Sequence, residues 1–302
     1  MEENLQTRIR QLKAQRNAVI LAHNYQRPEV QDVADFVGDS LGLAQQAAQT
    51  DARVILFCGV HFMAETAALL CGDKRVIVPD LNAGCPMANM VTVRELRQMK
   101  QRHPDAIVLA YVNTTAAVKA EADICCTSAN AAKILASLPR EREVIFIPDQ
   151  HLADYAARKV GREVIAWPGY CPTHVRILPD DVLAQKRLHP QAKVVVHPEC
   201  RREVIELADH VASTTGILRY CTESTASEFI IGTEIGMLHR LAKENPQKKF
   251  YPASRVADCS NMKLNTLEKM VWALEDLQYE VTIPADIAER ARRAIAKMLE
   301  IT

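Results

Sequence analysis

Cys85, Cys171 and Cys259 each follow an apolar, strand-like run, in the stretches LNAGCPMANM, WPGYCPTHVR and VADCSNMKLN. None has a second cysteine two or three residues away, so they lack the paired knuckles of a structural zinc site. Three thiolates brought to one point could hold a [4Fe–4S] cluster by three irons and leave the fourth open, because full ligation takes four cysteines. An open iron is a Lewis acid that binds hydroxyl and carboxylate oxygens and helps expel water. Zinc on the same three cysteines, with His174 or water as fourth ligand, is the competing reading. The other six cysteines, Cys58, Cys71, Cys125, Cys126, Cys200 and Cys221, read as buried thiols.

A second reactive set is polar. His23, Asn24 and Tyr25, then Tyr111 and Asn113, then His197 and Glu199 close three apolar β-branched runs. Ser40, Ser128 and Thr214 follow and are expected at the N-caps of helices. A hydroxyl beside unpaired backbone N–H groups at a helix start suits an anion, so three of them suit a substrate with several carboxylates or a phosphate. Taken singly, each hydroxyl is an ordinary cap and each histidine an ordinary hydrogen-bond partner. Their spacing argues otherwise.

His23 to Tyr111 is 88 residues and Tyr111 to His197 is 86; Ser40, Ser128 and Thr214 repeat the same two intervals. The three cysteines are spaced by 86 and 88. Strand-like runs 17–25, 105–113 and 192–200 are each followed by a helical pattern, an Ala-Asp pair that opens a short strand, an amphipathic helix and a second apolar strand (54–60, 144–150 and 228–234). A further helix and a last strand deliver the cysteine. The sequence therefore predicts an α/β protein of three homologous αβα domains, Rossmann-like, each with a short parallel sheet, in a pseudo-threefold arrangement around a central active site. The domains are expected at 1–87 with the N-terminal helix, 88–173, and 174–302 with two closing helices at 265–277 and 284–301. Linking helices are expected over 91–104 and 177–190, starting at a Thr or Asp cap. In open parallel sheets ligands gather outside the carboxyl ends of the strands, which is where every candidate residue falls.

Composition limits the alternatives. The 302 residues are 48% hydrophobic, enough for a large core, and carry 37 basic against 37 acidic side chains. No basic run interleaves with aromatics, which argues against a nucleic-acid or membrane-surface partner. No stretch approaches the length of a membrane span and the charged N-terminus is unlike a signal peptide, so a cytoplasmic location is expected. Nine cysteines in that compartment are thiols, ligands or nucleophiles rather than a disulfide framework.

The stretches AHNYQRPEVQDVADFVGDSLGLA, AGCPMA, YVNTTAAVKAEADICCTSANA, PGYCPTHV, VHPEC, ADHVASTTG, GTEIGM and CSNMK, in this order, resemble the quinolinate synthase family of de novo NAD biosynthesis over residues 20–263. The resemblance implies a [4Fe–4S] cluster on Cys85, Cys171 and Cys259, and condensation of iminoaspartate with dihydroxyacetone phosphate to quinolinate, phosphate and water. It implies catalytic roles for His23, Tyr25 and Glu199, and substrate contacts from His23, Ser40, Tyr111, Asn113, Ser128, His174, His197, Glu199 and Thr214. An L-aspartate oxidase or dehydrogenase is implied as the source of iminoaspartate. Some members carry a C-x-x-C-x-x-C run that can form a thiol switch; here Ser260, Asn261 and Met262 follow Cys259. The segment 24–32 is expected to be a mobile lid. A sensor of a small acid and a hydro-lyase of another polyacid are the rival readings.

Overall fold

A computed structural model describes residues 2–301. Its secondary structure writes the same sentence three times. The first repeat runs α1 (Glu2–Arg16), β1 (Ala18–His23), α2 (Pro28–Val33), β2 (Phe36–Gly38), α3 (Ser40–Gln49), β3 (Val54–Cys58), α4 (His61–Leu70) and β4 (Arg75–Ile77). The second runs α5 (Val93–Arg102), β5 (Ile107–Tyr111), α6 (Ala116–Lys119), β6 (Ile124–Cys126), α7 (Ala131–Ser137), β7 (Val144–Ile147), α8 (Gln150–Val160) and β8 (Ile165–Ala166). The third runs α9 (Pro179–Leu188), β9 (Lys193–Val196), α10 (Arg202–Ile205), β10 (His210–Val211), α11 (Thr214–Glu223), β11 (Glu228–Gly232), α12 (Met237–Glu244) and β12 (Lys249–Pro252), followed by α13 (Leu267–Asp276) and α14 (Ala285–Leu299).

Each repeat folds into a four-stranded, all-parallel sheet with its first strand second in the order: β2-β1-β3-β4, β6-β5-β7-β8 and β10-β9-β11-β12. Helical crossovers cover the sheets, so the central strands read as near-continuous apolar runs such as AVILAH and VILFC, and these are buried along their length. The protein is thus α/β with three similar αβα layers. The strands are shorter than the apolar runs suggested, because the polar residues that end each run turn out of the sheet.

The Ala-Asp pair has a structural role common to all three repeats. Asp35 Oδ2 accepts from Ile20 N, Asp123 Oδ2 from Val108 N and Asp209 Oδ2 from Val194 N, each at 2.8 Å. The aspartate's own N–H returns the bond to the carbonyl of the same strand residue at 2.9, 3.0 and 2.8 Å. One side chain therefore locks the second strand's entry against the first strand.

Chain contacts divide the molecule into two compact units, residues 2–85 with Cys259–Ala288, and Pro86–Asp258 with 289–301. In the first, Ile9 and Leu12 of α1 and Leu267, Met270 and Leu274 of α13 cover the face of β1 and β3 formed by Ile20, Val54 and Leu56. Their three- and four-residue spacing puts these side chains on one helical stripe. In the second, Ile177, Val182, Val194, Val196, Val204 and Ile230 form a cluster against β9 and β11, and α14 reaches the second repeat through Arg290 to Glu121 at 2.9 Å and Lys297 to the Asp123 carbonyl at 3.0 Å. Linking helix α5 starts at Thr92 with a complete capping box to Glu95. Its counterpart α9 differs from expectation: it starts at Leu178 and Pro179, and the Asp181 carboxylate reaches back to Leu178 N at 3.0 Å. Among the described residues no helix is long and apolar enough to cross a membrane.

Candidate active site

The second unit gathers seven of the expected residues. Tyr111 ends β5, and the turn after β9 carries His197 and Glu199, both buried. His174 sits in a short 3-10 turn after Cys171 and is 1% exposed. Its Nδ1 lies 2.8 Å from Glu199 Oε2 and 3.1 Å from Cys171 Sγ, and its Nε2 is 2.9 Å from Thr233 Oγ1. The ring is thus held at both nitrogens, by the carboxylate on one side and the threonine hydroxyl on the other. The His174 ring stacks on His197 with centroids 4.7 Å apart. Glu199 Oε1 accepts from Asn113 Nδ2 at 3.4 Å, and Tyr111 also hydrogen-bonds this carboxylate.

The backbone sets the state of His197. Glu199 N donates to His197 Nδ1 at 3.3 Å, so the proton sits on Nε2, which donates to Ser128 Oγ at 3.2 Å. Burial pushes this imidazole down to about 3, against the raising pull of Glu199, so the ring is neutral at physiological pH. Burial alone would raise the Glu199 carboxyl, but the attraction of His174 and the hydrogen bonds of His174 and Tyr111 outweigh it and hold the group down at about 2. Glu199 is therefore an ionised carboxylate in a buried place. The Asn113 Oδ1 atom is buried without a hydrogen-bond partner, an unmet acceptor of the kind that a ligand donor satisfies.

Thr214 also lies in the second unit, and the first carries His23, Tyr25, Ser40, Cys85 and Cys259. His23 and Tyr25 follow β1 and are buried, with rings edge to face and centroids 4.5 Å apart. Tyr25 N donates to His23 Nδ1 at 3.2 Å, which again leaves the proton on Nε2. The expected lid segment is tied down from within: Gln31 Nε2 donates to the carbonyls of Asn24 and Gln26 at 3.2 and 2.8 Å.

The three hydroxyls are not N-caps, contrary to the expectation. Asp39 caps α3, accepting from Gly42 N at 2.8 Å, and Ser213 caps α11, accepting from Gly216 N at 3.3 Å. Ser40 and Thr214 are the first helical residues. In the second repeat Asn130 holds the cap position of α7 and its Oδ1 accepts from Thr127 N at 2.7 Å, so Ser128 lies ahead of the helix. In α3 and α11 the preceding residue takes the capping bond, and at α7 Asn130 makes no side-chain capping bond to the helix.

The cysteines fall into two groups. Cys85, Cys171 and Cys259 are half-buried, and each lies between the last strand of its repeat and a short 3-10 turn, Met87–Asn89, His174–Arg176 or Met262–Leu264. The other six are buried. Burial pushes the Cys71 thiol up to about 11 and those of Cys125 and Cys221 up to about 12, and it raises Cys58, Cys126 and Cys200 strongly too. Thiols held in that state are poor ligands, since metals and clusters take the thiolate. The donor chemistry of the three accessible cysteines thus fits a thiolate-held group. In the second unit, one ligand atom each from Cys171, His174 and Glu199 lies within 4.8 Å of the others, a further arrangement able to hold a metal.

Two residues here were not singled out from the sequence. Thr233 follows β11 and bonds His174, at the place that Gly59 and Pro148 occupy in the other repeats. Asp149 is fully buried, and its Oδ1 accepts from His151 N and Leu152 N at 2.8 Å to cap α8. Burial first, then the charge of Glu199, raises the Asp149 carboxyl well above the usual range. A polar residue just past the apolar second strand, in the second and third repeats, was the available signal for the two.

Residues 7–300 match the family model described as quinolinate synthetase A protein. The chain is 55% identical over 294 residues to the quinolinate synthase of Methanosarcina barkeri, covering 97% of this chain and 96% of that one. It is 59% identical over 297 residues to the enzyme of the same name from Methanoregula boonei, covering 98% of both. With the quinolinate synthase of Thermodesulfovibrio yellowstonii it shares 55% identity over 291 residues, 96% of each chain. A match across nearly the whole length, with the repeats intact, settles the kinship: the chain belongs to the quinolinate synthetase A family.

Proposed function

We propose that this protein is a quinolinate synthase that condenses iminoaspartate with dihydroxyacetone phosphate to give quinolinate, phosphate and water. The observation that carries the reading is the buried, ionised Glu199 held between His174 and His197, with Tyr111 and Asn113 beside it, in a chain so similar to enzymes of that name. Cys85, Cys171 and Cys259 would hold a [4Fe–4S] cluster, in domains 1–87, 88–173 and 174–302. When bound, such a cluster supplies a Lewis acid at its iron without a protein ligand.

The side chains supply the rest. The enamine carbon of iminoaspartate displaces phosphate from the triose carbon. His23 and His197, each with its proton on Nε2, donate to substrate oxygens, and Ser40, Ser128, Thr214 and Asn113 take up carboxylate and phosphate oxygens. Ketone–aldehyde isomerisation needs a base and an acid; the Glu199 carboxylate takes the proton and the Tyr25 phenol gives one. A substrate that displaces His174 from Glu199 removes a partner that holds its pKa down and so makes it a stronger base. Amine attack on the aldehyde closes the ring; loss of one water from the carbinolamine and a second from the remaining hydroxyl, with aromatisation, completes it. A cytoplasmic setting with an aspartate oxidase or dehydrogenase supplying iminoaspartate completes the proposal.

One observation favours a second reading. The Cys171, His174 and Glu199 atoms within 4.8 Å of one another would suit a single zinc ion. Iron, sulfide and zinc analysis of anaerobically purified protein beside Cys171→Ser separates the two. About four irons and four sulfides per chain, lost in the variant, support the cluster; zinc without sulfide overturns it. Formation of quinolinate from iminoaspartate and triose phosphate, against citrate-like and malate-like acids, then tests the reaction itself.

A further inference from the structure

Cys85 and Cys259 are far apart in the chain, yet their loops belong to one compact unit. The loop leading to Cys85 is braced on its own side. His61 N, at the start of α4, donates to the Ala83 carbonyl at 2.8 Å, and Asp80 Oδ1 accepts from Asn82 N at 2.7 Å and Asn82 Nδ2 at 3.1 Å. The loop after Cys259 is braced likewise: Lys263 N returns to the Cys259 carbonyl at 3.3 Å, and the buried Asn265 donates through Nδ2 to the Gly59 carbonyl at 3.0 Å.

Two side chains tie the second loop to the first, Asn261 from the loop itself and Lys269 from α13. Asn261 Nδ2 donates to the Gly84 carbonyl at 2.5 Å. Lys269 Nζ donates to Asp80 Oδ2 at 2.5 Å and to the Leu264 carbonyl at 2.9 Å, gripping both loops at once. The Asn261 bond is the more direct, because its acceptor peptide continues into Cys85 and its donor lies two residues beyond Cys259. A shift of either loop must break it or carry the other loop along. The Lys269 pair is partly exposed, which screens it and makes it the weaker strap.

We propose that Asn261, backed by Lys269, is a positioning residue that fixes Cys85 against Cys259; this rests on the cluster reading above. Supporting hydrogen bonds of this kind are worth about 10–100-fold in the affinity of a metal site. Asn261→Asp is the sharp test, since it keeps the shape and sets an acceptor against the Gly84 carbonyl.

The test is the rate at which reconstituted holoprotein loses its visible cluster absorption to an excess of iron chelator. The electron paramagnetic resonance spectrum of the reduced cluster and the melting temperature of the apo form are measured alongside. Asn261→Asp is expected to speed the loss about tenfold or more and to alter the spectrum, with the apo melting temperature within about 2 °C of wild type. Lys269→Met is expected to do the same to a smaller extent. Wild-type loss rates in both variants, or a faster loss that only follows a lower apo melting temperature, overturn the proposal. If Asn261→Asp does not fold, the same comparison on Lys269→Met decides it. Wild-type protein that takes up no cluster defeats the parent reading instead, a result that differs from a stable cluster in the variants.

Discussion

The turn after β1 and the turn after β9 share one backbone and differ in chemistry. In both, the residue two beyond the histidine donates its N–H to that histidine's Nδ1, at 3.2 Å in the first and 3.3 Å in the second. In both, the residue three beyond closes onto the histidine carbonyl at 3.0 Å. The first turn then offers a phenol, Tyr25, lying edge-on to His23; the second offers a carboxylate, Glu199, paired with His174. The repeated scaffold fixes which nitrogen of the ring carries the proton. The third residue of the turn decides which group stands beside the ring, a phenol or a carboxylate.

Exchanging that third residue should have the largest effect. Glu199→Gln is expected to lower the rate of quinolinate formation by about 10³-fold and Tyr25→Phe by about 10²-fold, within the usual range for lost acid–base groups. A Tyr25→Phe enzyme slower than Glu199→Gln would reverse the division of labour between the turns. Next in size is Gly169→Ala. A Cβ there would lie 2.3 Å from the Pro148 carbonyl oxygen, where Asp149 pairs with Gly169 and Gln150 N donates to the Gly169 carbonyl at 2.9 Å. A loss of about 2–3 kcal/mol is expected in urea unfolding, since overpacking against backbone cannot be relieved by a rotamer.

A pH series sharpens the comparison at His197. Its folded-state pKa of about 3 lies below the unfolded value near 6.5. The unfolded chain therefore takes up a proton first, and stability is lost as pH falls from about 6.5 toward 3, by at most about 1.4 kcal/mol per unit. Urea midpoints measured from pH 7 to pH 5 should fall more steeply for wild type than for His197→Gln. Equal slopes would mean that the ring is not held dry. The smallest effect is expected at the strand locks: Asp35→Ala, Asp123→Ala and Asp209→Ala should each cost about 1–2 kcal/mol in thermal unfolding. A variant that costs nothing would show that its repeat no longer depends on the lock.

Much of this was legible because the repeat is written in spacing. The intervals of 88 and 86 placed His23, Tyr111 and His197 at corresponding strand ends, and the three sheets have the same strand order. The caps were not legible. Asp39-Ser40 and Ser213-Thr214 each offer two adjacent residues able to cap, and backbone angles choose the earlier one. Thr233 and Asp149 escaped notice because their burial depends on what packs over the strand end, which no local pattern encodes. The Ala-Asp pairs were visible as a motif, but the amide each carboxylate would meet lies in another strand.

Those carboxylates also act as a ruler. In every repeat the aspartate stands fifteen residues after the strand amide it grips, whatever the intervening sequence. A single residue inserted inside that interval slides the carboxylate off its partner, while extra chain placed beyond the aspartate leaves the grip untouched. Changes of length should therefore be tolerated unevenly along each repeat, poorly in its opening third and more readily after it.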